Sequence, residues 1–108
     1  MVLYHGSADD FTLFDFDKCK TPIGRPWFTE NIEVAKTYLP FLYEANVLIS
    51  KPFVIDIAYY SKMVREEIPN WRDKLIADGY DGLHINNMGT YYRIPFFKTQ
   101  IQQLKKLR

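Results

Sequence analysis

The chain is short of several things that small proteins use to declare their chemistry. Cys19 is the single cysteine among 108 residues, so an internal disulfide is impossible and a cysteine-based metal site has no second thiolate. The two histidines, His5 and His84, lie too far apart in sequence to read as a paired ligand motif, and no metal is expected. The sequence has no apolar run long enough to cross a bilayer, and no secretory leader is expected. Cytoplasm is therefore the expected compartment, in a host cell if the protein is delivered there. Charge of one sign is missing too. Fourteen basic residues against thirteen acidic ones give a formal net charge of +1, which supplies no general drive toward nucleic acid or a membrane surface. Lys105, Lys106 and Arg108 make only a short basic end. Nucleoside-triphosphate loops, Ser-His-Asp arrangements and internal repeats are absent as well.

What is abundant is aromatic surface, 17% of the residues against 25% charged. Such side chains dominate both cores and binding sites. A chain of this length is expected to form one domain, residues 1–108, with a core that needs no staple. Val2-Leu3-Tyr4 reads as a strand ending at Gly6. Ala8 to Lys18 reads as a short helix or turn that packs Phe11 and Phe14 inward. The Pro and Gly residues of 21–26 mark a loop. Thr29 or Asn31 can cap a helix from Ile32 to Leu39, which Pro40 stops. Tyr43 to Ser50 and Phe53 to Ile57 read as strands. Residues 59–78 read as two helical pieces broken at Pro69, with Gly79 as the terminating glycine. Leu83 to Ile85 and Tyr91 to Phe97 read as strands around an Asn86-Asn87-Met88-Gly89 turn. The spacing of Ile101, Leu104 and Leu107 does not separate strand from helix. Mixed order with strands in excess predicts an α+β fold rather than regular βαβ alternation.

Two clusters suggest a ligand site. His5-Gly6-Ser7 puts an imidazole, a bare backbone and a hydroxyl at a strand end. Trp27 is followed eleven residues later by Tyr38, on the predicted helix. His5 can bond a sugar diol, because neutral imidazole offers one donor and one acceptor. Gly6 admits close backbone approach, and Ser7 can bond an amide. Trp27 and Tyr38 can flank a flat ring. The nicotinamide riboside end of nicotinamide adenine dinucleotide (NAD) has that shape.

Together these residues resemble the ADP-ribosyltransferase superfamily, in its His-Tyr-Glu branch of poly(ADP-ribose) polymerase-like and phage polyvalent domains. Trp27-Phe28-Thr29-Glu30 fits the second family segment, and Tyr38 falls at the spacing of its stacking tyrosine. Gly79-Tyr80-Asp81-Gly82 and Gln100-Ile101 look like the family's later motifs. The family glutamate stands about eight residues before that glutamine, where this chain has Tyr92. Tyr92, or an amide oxygen from Asn87, would have to stand in. The resemblance implies a compact split β-sandwich, two small curved sheets facing each other, with a few short helices. It implies an NAD-dependent mono-ADP-ribosyltransferase acting on a protein target, as a toxin or phage-type effector. A weak or inactive domain that binds NAD, ADP-ribose or a protein partner is the alternative. In that reading His5, Tyr38 and Tyr92 act in catalysis. His5, Gly6, Ser7, Trp27, Tyr38 and Asn87 hold NAD, and His5, Gly6, Trp27 and Tyr38 should converge on one pocket.

Overall fold

The computed structural model describes residues 1–8, 16, 19, 21–38, 40–66 and 70–108. The expected packing of Phe11 and Phe14 and the break at Pro69 lie outside them. Within the described residues the chain runs β1 (Val2–Ser7), β2 (Phe28–Thr29), α1 (Ile32–Ala35), β3 (Phe41–Val47), β4 (Pro52–Asp56), α2 (Ile57–Glu66), α3 (Asn70–Ala77), β5 (Gly82–Asn87), β6 (Thr90–Pro95) and β7 (Ile101–Lys106).

These strands form one mixed seven-stranded sheet of order β4-β5-β6-β2-β1-β3-β7. The fold is α+β, as expected, but two separate facing sheets are not what forms. The two-residue strand β2 joins the halves: Thr29 pairs with Tyr4 on one side and with Tyr92 on the other. β4 and β5 run parallel, so α2 and α3 make one βαβ crossover in an otherwise antiparallel sheet. Residues paired across a sheet point to the same side, and neighbours along a strand alternate. By that rule Leu83, Ile85, Tyr92, Thr29, Tyr4 and Gly6 share one face, and His84, Arg93, Phe28, Leu3 and His5 share the other.

Each half of the sheet has its own core. Ile23, Tyr60, Trp71, Leu75, Leu83, Ile85, Ile94 and Phe96 are buried where α2 and α3 cover β5 and β6. Leu3, Phe28, Ala45 and Val47 form a second cluster, backed by Ile49, Ile101 and Leu104. The clusters take alternate residues of the strands, so apolar residues sit on opposite faces in the two halves.

Local chemistry sets the ends of the elements. Asn31 Oδ1 accepts the Glu33 amide at 2.9 Å and caps α1. α1 is shorter than the sequence predicts, ending at Ala35, and Tyr38 follows it in a turn. α3 ends as expected at Gly79, whose φ is 93°. The Tyr80 amide reaches back to the Leu75 carbonyl and the Gly79 amide to the Ile76 carbonyl, each at 3.0 Å, the paired bonds of a Schellman cap. The C-terminal segment resolves as β7, preceded by a single 3₁₀ turn at Lys98–Gln100.

Candidate functional site

The sheet gathers some of the predicted site residues and separates others. Trp27 packs edge-on against Tyr60, with ring centroids 5.0 Å apart, and against Tyr92 at 5.3 Å. Tyr38 lies beside the Tyr92 side chain. Burial, followed by the neighbouring Tyr38, pushes the Tyr92 phenol above its ordinary value, so it is a neutral group near pH 7. Gly6 lies against the end of α1: a Cβ there would come 2.0 Å from the Ala35 carbonyl oxygen and 2.8 Å from Tyr38 Cβ. Asn87 lies on the Tyr92 face, nearer the hairpin tip, opposite Thr90. Gly6, Trp27, Tyr38, Tyr92 and Asn87 therefore belong to one side of the sheet.

His5 and Ser7 alternate with Gly6 and take the other side. His5 lies 5.5 Å from the Phe28 ring, and its Nδ1 sits 2.7 Å from the Trp27 carbonyl oxygen. A carbonyl only accepts, so Nδ1 carries the proton of the neutral ring. Burial holds the His5 pKa below its ordinary value, against the opposing pull of that hydrogen bond. His5 thus pins the backbone next to Trp27, while its ring stands across the sheet from Gly6. The expected single pocket is divided by the strand itself.

Other sequence signals also resolve into structural work. Asp81 accepts the Ser50 amide (3.0 Å) and hydroxyl (2.9 Å) on Oδ2 and the Lys51 amide (2.8 Å) on Oδ1. Burial raises its pKa, but these donors outweigh it and the net shift is downward. Gln100 is buried and satisfied: Oε1 accepts the Phe97 amide at 2.7 Å, and Nε2 donates to the Leu48 and Asp81 carbonyls at 2.9 and 2.8 Å. A Cβ on Gly82 would lie 2.7 Å from the Ile94 carbonyl oxygen. Gly79, Asp81, Gly82 and Gln100 together clamp the loop before β4 to the start of β5 and of β7.

On the far face, Arg93 bridges His84 and Glu30. Its Nη1 donates to His84 Nε2 at 2.8 Å, and its Nη2 pairs with Glu30 Oε1. Burial, then the Arg93 charge, lowers the His84 pKa, with Glu30 and Asp81 pulling the other way. A shallow groove of about 370 Å³ runs along the free edge of β4, lined by Phe53, Val54, Ile55, Asp56 and Tyr59. It is apart from the Trp27–Tyr92 group.

Large side chains stand in solvent at several points. Met88 is 97% exposed, Val54 70%, Tyr38 56% and Tyr91 55%. The sequence pattern places Met88 and Tyr91 only in a turn and a strand. The signal was there in the order of residues, since Met88 stands before Gly89 where a tight hairpin turn favours asparagine or aspartate. Among the described residues, no group of three or more His, Cys, Asp or Glu side chains is placed to hold a metal, and no helix is long and apolar enough to cross a membrane.

No family model matches the chain, and no curated protein matches it. The crystal structure of an anti-CRISPR protein shares its fold, with a TM-score of 0.58 and 14% sequence identity over 99% of this chain and 95% of that one. This finding corrects the ADP-ribosyltransferase resemblance. It also corrects what hung on it: the mono-ADP-ribosyltransferase activity, the toxin role, and the weak or inactive transferase-like domain. NAD as co-substrate rested on the same resemblance. The physical reason is that the residues matching the motifs hold the sheet together. Gly6 seats α1, Gly79 caps α3, and Asp81 with Gln100 ties three loops.

Proposed function

We propose that this chain is an inhibitor of the anti-CRISPR kind, a phage-type protein that acts by binding a macromolecular partner rather than by transforming a substrate. The observation that carries the reading is the end-to-end correspondence of fold with an anti-CRISPR protein, 99% of one chain against 95% of the other. Two properties of the chain support it. A net charge of +1 is wrong for a decoy of nucleic acid, which would need dense negative charge to fill the basic channel of an RNA-guided complex. Exposed Tyr and Met side chains on ordered strands and turns are the residue types enriched at protein interfaces.

The test is phage plaquing on bacteria that carry a CRISPR system with a spacer matching the phage, repeated over a panel of system types. Expression of the chain is expected to restore plaquing in at least one type and to leave a spacer-free control unchanged. Undiminished immunity across the whole panel would count against the reading.

A further inference from the structure

The β5–β6 hairpin is closed by a two-residue turn, Met88-Gly89, with Asn87 and Thr90 as the last pair. Both turn residues have positive φ, 52° and 92°, as a type I′ turn requires. Glycine tolerates that at Gly89, whereas methionine is strained there, and asparagine would be the relaxed choice at position 88. The turn is otherwise well made: Asn86 Oδ1 accepts the Gly89 amide at 2.9 Å, and six residue pairs zip the strands behind it. The tip stands clear of the body, since Met88 is 97% exposed and a Cβ on Gly89 would meet no atom within 4 Å. Tyr91 follows on the sheet face opposite to Tyr92, 55% exposed.

An unbranched apolar side chain held in an unfavourable backbone conformation at full exposure costs stability and gains nothing within the chain. Strain of that kind persists where a function uses it. From this we infer that the hairpin tip is the inhibitor's contact element, and that Met88, flanked by Tyr91, inserts into an apolar pocket on a protein subunit of the target complex. Methionine suits the role because its flexible, polarizable side chain adapts to a pocket's shape, and a hairpin braced by six pairs delivers it with little ordering cost. Residues 85–92 contain no charged side chain, so the tip has no cation to neutralise phosphates, the term that dominates nucleic-acid affinity, and the occupant is protein rather than nucleic acid. The inference rests on the inhibitor reading.

The experiment compares wild type, Met88→Asn and Met88→Leu in the plaquing assay, with thermal melting of each purified chain. Met88→Asn relieves the backbone strain and removes the apolar knob. It is expected to melt higher than wild type and yet to lose plaquing restoration at least tenfold, while Met88→Leu keeps it. Met88→Asn that melts higher and restores plaquing fully would overturn the inference and leave the inhibitor reading standing. Wild type that restores no plaquing would overturn both. Binding of the purified chain to the complex from the system it blocks should change little between about 50 and 200 mM salt. A fall of on the order of a thousandfold, as phosphate contacts give, would overturn the protein pocket in favour of nucleic acid.

Discussion

Single residues in this chain carry more structural duty than their small size suggests. Gly6 has an ordinary strand conformation, and what demands glycine is the Ala35 carbonyl oxygen 2.0 Å from any Cβ built there. Since that atom is backbone, a rotamer change cannot relieve the clash, and α1 must lift off the sheet. Gly6→Ala is expected to destabilise the fold by about 3 kcal/mol, the upper end for overpacking, read as a lower urea midpoint in chemical denaturation. The two histidines are expected to make stability depend on pH. Burial leads in holding both His5 and His84 below the ordinary histidine value. As the pH falls below about 6.5, the unfolded chain takes up protons that the folded chain still refuses, so stability drops. It levels off once the pH passes beneath the folded values. Urea midpoints measured from pH 7.5 down to 5 should decline for wild type and stay flatter for the His5→Gln, His84→Gln double variant.

At the scale of elements, the loop clamp around Asp81 and Gln100 sets how the halves of the chain meet. Gln100→Leu keeps the volume but leaves the part-buried Phe97 amide and Leu48 carbonyl without the partners that Gln100 supplies. A fully buried unsatisfied group costs about 1–3 kcal/mol; water reaches part of both groups here, so a total loss of about 1–3 kcal/mol is expected in the same denaturation measurement. Asp81 acts in a different pH window from the histidines. Its folded value is depressed, so its contribution is intact above about 3.9, the ordinary aspartate value, and is lost as the pH falls through the folded value. Many elements were legible in the sequence for local reasons: Asn31 and Gly79 at helix ends, apolar alternation in β5, the punctuating Pro and Gly residues. Their assembly was not. β2 is two residues long, too short to show a period, yet it fuses the sheet. The parallel pairing of β4 with β5 depends on contacts about thirty residues apart, which no local window contains. The motif-like spacing of His5, Trp27 and Tyr38 is real, but spacing alone does not report that His5 and Gly6 face opposite sides of one strand.

The whole molecule is a mixed seven-stranded sheet with apolar clusters on alternate faces, and Met88, Tyr38 and Tyr91 stand exposed. A protein that inhibits by occupation must be present in amounts matching its target, and its complex with that target must persist. The most direct measurement is a titration of purified chain into the interference complex of a system it blocks, following target cleavage. The partners are weighed afterwards by intact-mass spectrometry. The account predicts that inhibition saturates at a fixed, near-stoichiometric ratio, that the complex survives gel filtration, and that the mass of every target subunit is unchanged. Full inhibition at a small fraction of stoichiometric amounts, dependent on an added small-molecule co-substrate and leaving a covalent mass increase on a target subunit, would contradict it.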